Sequence, residues 1–484
     1  MKNQKNWLDL YRAACRAGVP LVAINTPDPA STIREIGKVL PTVKGHEDAP
    51  ILAWDVCRGT VAVNEAGLTY ASSDTEGDPA AFLLAAQSYP DGTVVFWHNS
   101  QACFDRGLPV VQGCWNLRDE YKQNQRMLVL LAADHQLPKP LARDVVVIDE
   151  PLPDQDRLRE IAVETAGELD KATLERVVQA LRGLSAFSAE QELAMALTKE
   201  GVDIAQLWQG KRKAIERRGL TFDEGSETFD DIRGLSNAKD FGEALFTGPH
   251  PPAVVVRVEE LEKSMAGSQG DLSGTSQDAL QVFLSAMEDN GWAGQIAFGP
   301  PGTGKSLYSK ALANTFDRLP LVFDINATKE GLVGSSEANV RNVVKTLIAI
   351  GGREVFFVAS MNKMNVPPEL VRRFRYGVWM FDMPDDEERA AMWELHRGKF
   401  EIDAKDKQPD DTDWSGSDIR NICEMAWKMG RSLKDVLQFA SSNGKANPEV
   451  VKAARDAAEG KYISASKPGV YRRQQAGSKR RISI

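Results

Sequence analysis

The chain has 484 residues, a formal net charge of −9, 42% hydrophobic residues and 26% charged ones. That length predicts about three domains with room for buried cores, and the acidic balance excludes bulk attraction to nucleic acid. No apolar run is long enough to span a bilayer and no secretory pattern opens the chain, so a cytoplasmic protein without a membrane partner is expected. The five cysteines (Cys15, Cys57, Cys103, Cys114, Cys423) lack C-x-x-C spacing, and the five histidines do not cluster. Neither a disulfide framework nor a zinc site is indicated.

In chain order, the first strand is expected from Pro20 to Ile24. The stretch after it, Asn25-Thr26-Pro27-Asp28-Pro29, has no glycine and no lysine with which to hold a phosphate. Further on, Leu128 to His135, a short proline-containing loop, Val145 to Ile148 and an acidic, proline-rich exit at 151–154 repeat the pattern of Val355 through Asp385. This internal echo predicts an α/β module over 1–153. Residues 154–222 read as a helical region and linker, with a capping box at Ser188 and Gln191. The basic run Lys211, Arg212, Lys213, Arg217 and Arg218 reads as a solvated helix face, and Thr221 to Glu227 as an acidic linker.

The remainder divides into 223–384, a second α/β region; 385–460, helical; and 461–484, a basic tail that reads as a solvated, disordered arm. Ala253 to Val258 is an apolar strand ending in Glu259 and Glu260, followed by a Gly/Ser-rich loop. The next helix, opened by Thr275, places Leu280, Phe283, Leu284 and Met287 on one face. Then Gln295 to Phe298 feeds Gly299-Pro300-Pro301-Gly302-Thr303-Gly304-Lys305-Ser306. This G-x-x-x-x-G-K-S spacing lets successive backbone N–H groups turn inward around phosphate oxygens, with a helix N-terminus behind them. Lys305 is expected to reach the terminal phosphates and Ser306 to ligate Mg²⁺. Later strands run from Leu319 to Ile325, from Val355 to Ser360 with Asn362 at its exit, and from Val378 to Phe381. Strands alternating with amphipathic helices specify a parallel sheet covered on both faces, with ligands at the strands' carboxyl ends. The P-loop, Glu259, Glu260 and Asn362 all sit at such ends. Adjacent carboxylates suit ATP hydrolysis: Glu259 is assigned to Mg²⁺ and Glu260 to the base that activates water.

Together these motifs resemble the AAA family of the AAA+ ATPases. Gly299 to Ser306 has its Walker A wording, Glu227 to Ile232 resembles its entry segment, Gly334 to Arg341 its second-helix signature, and Trp414 to Ile419 its lid motif. The resemblance covers about Glu227 to Gly430. It implies a P-loop NTPase sheet with a helical lid, here preceded by a degenerate AAA-like α/β module, a plan similar to a plastid and cyanobacterial branch of these ATPases. It implies ATP and Mg²⁺ as ligands, with Pro300, Pro301, Gly302, Thr303, Gly304, Lys305 and Ser306 around the phosphates and Ile232 and Gly234 flanking the adenine. It further implies Asn362 as the sensor that orients water, and Arg372 and Arg375 as fingers reaching a neighbouring subunit. A homo-hexameric ring that remodels a protein or nucleoprotein partner is then the expectation. A nucleotide-gated scaffold with little turnover is the alternative, with nucleic acid engaged through the 461–484 tail.

Three departures from the family stand out. The acidic strand precedes the P-loop instead of following it, so the family sheet order 5-1-4-3-2 requires new crossovers. Glu259 replaces the usual Asp, and Leu332 stands where unfoldases carry an aromatic pore residue.

Overall fold

The computed structural model describes residues 7–105, 107–216, 220–259, 261–262, 275–324, 335–363, 368–403 and 405–473. The chain forms two compact units, Met1–Trp208 and Gln209–Ile484. Their boundary falls within the helix Ile204–Glu216.

The first unit is built on β1 (Leu21–Asn25), β2 (Ile51–Asp55), β3 (Gly59–Ala62), β4 (Val94–His98), β5 (Met127–Ala132) and β6 (Val146–Asp149), in spatial order β3-β2-β4-β5-β1-β6. All pairings are parallel except that of β3 on β2. The side-chain period of two divides each strand between two cores. Leu21, Ala23, Trp54, Trp97, Leu128 and Leu130 face one, with Phe82, Cys114 and Tyr121 from the covering helices. Val22, Ile24, Ala53, Phe96, Val129 and Leu131 face the other, with Tyr11, Ile36 and Val39.

A polar knot occupies the place at the end of β1 where a phosphate loop would lie. The Asn25 carboxamide accepts from the backbone N–H of His135 (3.0 Å) and meets its ring Nδ1 (2.8 Å), while Nδ2 donates to Asp149 (3.0 Å). With Nδ1–H donating to Asn25, His135 Nε2 accepts from the Ser100 hydroxyl at 2.9 Å. Thr32 adds bonds to Thr26 (2.7 Å) and Glu150 (2.5 Å). The polar groups at this end of the sheet thus satisfy one another, as buried polar atoms must.

The helices Gln155–Ala166, Lys171–Leu181 and Ala186–Met195 complete the unit with the hairpin β7 (Leu197–Thr198) and β8 (Gly201–Val202). Their N-caps are Asp154, Asp170 and Ser185. The expected capping box at Ser188 is corrected here: the helix opens three residues earlier, where Ser185 Oγ accepts from the Ser188 N–H at 3.3 Å. Lys211 also departs from expectation, being only 1% exposed. It stands one turn from both Leu207 and Ile215, so its stem lies on the buried side of its helix.

The second unit carries β9 (Leu220–Phe222), β10 (Val254–Val258), β11 (Ala293–Phe298), β12 (Leu319–Phe323), β13 (Val355–Met361), β14 (Val378–Met380) and β15 (Ile463–Ser464). Their spatial order is β15-β14-β11-β13-β10-β12-β9, parallel throughout except at β9. β10 pairs β13 on one side and β12 on the other, although it comes before both and before the P-loop strand β11. In the first unit the five parallel strands, counted along the chain, stand in the order 5-1-4-3-2; in the second, β14-β11-β13-β10-β12 fill the same spatial places, so that β10, the earliest of them in the chain, takes the place numbered 3. The helices Thr275–Asp289 and Ser335–Gly351 cover one face through Phe283, Met287, Val340, Val343 and Leu347. The P-loop helix Lys305–Thr315 covers the other through Tyr308, Ala311 and Leu312. A helical lid follows, with Trp393, Trp414, Ile419, Ile422 and Leu433 as its own core.

The tail from residue 461 is structured as far as 473, against the expectation of a solvated arm. β15 extends the sheet beyond β14, and the Tyr471 hydroxyl donates to Asp382 at 2.6 Å beside the Arg455–Asp382 pair at 2.8 Å. Buried Ala465 and Tyr471 supply apolar area that the basic composition of the tail conceals. Residues 474–484 lie outside the described residues. Among the described residues, no helix is long and apolar enough to cross a membrane.

Burial pushes His135 down to about 4, so its neutral form is the one the first unit holds. Since the unfolded chain binds that proton near the ordinary histidine pKa of about 6.5, stability is full above about pH 6.5 and declines as pH falls toward 4. Urea midpoints of the first unit across that range should show this slope. In His135→Gln the slope should flatten by up to one proton.

Candidate nucleotide site

At the carboxyl ends of β10, β11 and β13 a cavity of about 540 Å³ opens between the sheet and the lid. The strand β11 delivers the chain into the loop from Gly299, and Gly304, with φ +89°, caps the helix Lys305–Thr315. That left-handed turn is one L side chains adopt at a cost, which is why glycine stands there. Gly302, at φ +81°, is restricted twice over. A Cβ there would meet the hydroxyl oxygens of Ser417 at 2.4 Å and Ser415 at 2.7 Å, on the lid.

Lys305 is 7% exposed, and its ammonium donates to the carbonyls of Gly299 (2.8 Å) and Pro300 (2.7 Å). Thr303 Oγ1 donates to Pro300 at 2.9 Å. The loop is therefore pre-formed around its lysine, with Pro301, Gly302, Thr303, Gly304, Lys305 and Ser306 all on the cavity wall. Pro300 is buried behind them as the acceptor of both bonds.

Glu259, at the exit of β10, and Asn362, just past β13, line the same cavity. The Asn362 N–H donates to Glu262 at 2.9 Å, which ties the exits of β10 and β13 together. Glu260 lies outside the described residues, as does Leu332. Ile232 lines the cavity at 3% exposure. Gly234 is not on the wall: its φ is +75°, and a Cβ there would meet the Glu388 carboxylate at 2.6 Å. Arg372 and Arg375 are exposed and away from the cavity, while Arg373 between them pairs with Glu288.

The lid contributes residues that motif reading passes over. Glu388, Met392, Leu395 and His396, at i, i+4, i+7 and i+8 of the helix Asp386–Lys399, all line the cavity, with Ser417 and Arg420 from the next helix. The helical spacing was a visible signal, but its mixture of polar and apolar residues does not read as a buried face. Glu388 closes a capping box with Asp385 and accepts from the Leu235 N–H at 3.3 Å, joining the lid to the segment that carries Ile232. His396 is lowered to about 4, by burial first and then by the cations Arg420, Lys399 and Arg233. Its Nδ1 is buried without a partner among the described residues.

These donors fit a magnesium nucleotide. A buried lysine and inward backbone N–H groups suit phosphates, Ser306 and Glu259 offer the hard oxygen ligands Mg²⁺ prefers, and the unpartnered His396 nitrogen beside Ile232, Met392 and Leu395 suits a polar heterocycle.

Residues 295–367 match the ATPase family associated with various cellular activities (AAA). The second unit holds an AAA P-loop NTPase domain. Ahead of the AAA domain, residues 9–150 match the N-terminal domain of SpoVK-like AAA ATPases and residues 155–218 the second domain of the same proteins. Uncharacterized AAA domain-containing protein ycf46 from Guillardia theta is 22% identical over 333 residues, 59% of this chain and 60% of that protein. Its counterpart from Gracilaria tenuistipitata var. liui is 22% identical over 365 residues, 65% and 68% of the two chains. Peroxisomal ATPase PEX6 from Yarrowia lipolytica is 27% identical over 169 residues, 31% of this chain and 16% of that one. The chain thus spans only part of the length of each of these relatives.

Gly302→Ala should destabilise the AAA domain by about 1–3 kcal/mol, the cost of a left-handed non-glycine residue together with the close lid contact. Urea midpoints of the second unit measure this. Adding Ser417→Ala should restore part of the loss, the part due to the Ser417 contact, while the Ser415 contact and the backbone strain remain.

Proposed function

We propose that the AAA domain is a Mg²⁺-dependent ATP hydrolase and that the chain works as a ring, a homo-hexamer in the simplest case, which remodels a protein or nucleoprotein partner. The observation that carries this reading is the convergence of Lys305, Ser306, Glu259 and Asn362 on one cavity beneath a lid. Lys305 and the loop amides bind the phosphates, and Ile232 with the lid stripe receives the base. Ser306 and Glu259 would hold Mg²⁺, which supplies neutralisation of the charge on the transferring phosphoryl group. Asn362 orients the attacking water and Glu260 accepts its proton. The sheet order supports a transposed motif order, since β10 sits between β13 and β12 and so presents Glu259 where a strand following the P-loop would. The matching strand order of the first unit, closed at β1 by the His135 knot, supports its reading as an ATPase-like module without a phosphate site.

Exposed Arg372 and Arg375, which do not line their own cavity, are available to a neighbouring subunit's site. An arginine finger supplies roughly 10³ to 10⁵ in rate. The alternative of a nucleotide-gated scaffold with little turnover draws its support from the pairing of Glu259 with Arg257. A nucleic-acid contact through the tail has less to draw on, because Lys467, Arg472 and Arg473 pair with Asp385, Glu459 and Asp456.

Steady-state ATP turnover should vanish in Lys305→Ala. It should fall by about 10² to 10⁴ in Glu260→Gln while nucleotide is retained. Parental turnover in both variants would overturn the hydrolase reading. For the ring, Lys305→Ala and the double variant Arg372→Ala/Arg375→Ala should each be inactive alone. Mixed subunits should recover turnover, because intact sites then meet intact fingers; no recovery at any mixing ratio would argue against fingers acting between subunits.

A further inference from the structure

The strand β10 carries a charged residue where a central strand calls for an apolar one. Val254, Val256 and Val258 face one core, and Val255, in the alternating set, packs with the P-loop helix. Arg257 and Glu259 continue that second set, so arginine and glutamate stand on the same side of the strand. Their side chains are in contact. The Arg257 guanidinium, 16% exposed, also forms an ion pair with Asp223 at 3.0 Å, and its Nε is buried without a partner among the described residues. Asp223 is 9% exposed and Glu259 47% exposed. Arg257 therefore lies between one carboxylate sealed in the fold and another that opens on the nucleotide cavity.

Asp223 begins a segment strapped along the P-loop helix. Its N–H donates to Pro320 at 3.1 Å, prolonging the β9–β12 pairing. Asn314, on the P-loop helix, donates to the carbonyls of Gly225 (3.0 Å) and Glu227 (2.9 Å), and Lys310 on the same helix pairs with Glu227 at 3.1 Å. Lys310 stands farther from Asp223, at 3.9 Å, so Arg257 is the nearer cation to that carboxylate.

We infer that Arg257 is a built-in competitor for the metal at Glu259, and that Asp223 sets how strongly it competes. The inference rests on the reading of the cavity as a Mg²⁺-nucleotide site. A guanidinium bonded to Glu259 occupies the carboxylate that Mg²⁺ requires and adds a like charge beside the ion. Metal entry requires Glu259 to leave Arg257, and Asp223 eases that exchange by keeping the guanidinium paired once Glu259 has turned away. Arg257 is a positioning residue: it acts through Glu259 and touches no substrate. Because Asp223 belongs to the segment that enters the AAA domain, a pull on that segment would change the metal affinity of the site.

The test is the Mg²⁺ concentration that half-maximally tightens binding of a fluorescent non-hydrolysable ATP analogue to the full chain. Arg257→Met should lower that midpoint roughly three- to ten-fold, the range expected for removing one partly screened charge pair. Asp223→Asn should raise it, since Arg257 then has Glu259 as its remaining acidic partner, and Arg257→Lys should stay near the parent. The double variant Arg257→Met/Asp223→Asn should match Arg257→Met, because Asp223 acts only through the arginine. Shifts of the two single variants in the same direction, as a general loosening would produce, overturn the inference, as do unmoved midpoints with intact nucleotide binding. Failure of the parent to bind the analogue at any Mg²⁺ concentration overturns the nucleotide reading and this inference with it.

Discussion

The insertion of β10 between β12 and β13 is the pairing on which the AAA domain depends. Five residues, Val254 to Val258, are hydrogen-bonded in register on both sides, and their position decides where Glu259 emerges. Without that double pairing the sheet would divide into β12 with β9 on one side and β13, β11, β14 and β15 on the other. Backbone bonding is indifferent to the order in which strands occur along a chain. What it demands is that each central strand find two neighbours and bury both faces, and the valine run meets both demands.

The same rule accounts for the first unit. Its parallel strands fill the same spatial places in simple chain order, yet the end of β1 presents a closed set of side-chain bonds among Asn25, His135, Ser100 and Asp149 instead of a loop of free amides. A sheet of this kind persists without a ligand provided the polar groups at its rim are satisfied internally. In the second unit the rim is held open: Lys305 rests on loop carbonyls, His396 Nδ1 lacks a partner among the described residues, and the lid touches the loop at Gly302.

Much of this was legible in the sequence, for reasons that differ by element. The P-loop and the central strands announce themselves because glycine at left-handed positions and unbroken apolar runs have few other uses. The edge strands β9 and β15, three and two residues long, do not, since their conformation is imposed by the neighbour they pair with. The tail illustrates the difficulty: its charges read as solvated, whereas Tyr471 and Ala465 anchor it to β14 and Asp382. The buried Lys211 and the cap at Ser185 rather than Ser188 differ from the sequence expectation for a related cause, that a single residue's burial or capping role is decided by packing rather than by its own character. The lid stripe from Glu388 to His396 lay in plain helical spacing, but its polar members disguised a face turned toward a cavity.

The early position of β10 also has a consequence for the nascent chain. Val254 pairs Leu319 and Val355, both synthesised well after it, so a run of valines waits on the ribosome without either partner. Non-local pairings of this kind form slowly, and an unpaired, strongly β-forming segment is the kind that associates with copies of itself. Arg257, followed by Glu259 and Glu260, interrupts that run with charge at the point where a polypeptide would otherwise add to a neighbouring edge. Arg257, paired with Glu259 in the folded domain, thus also interrupts the apolar run of the strand before the domain exists.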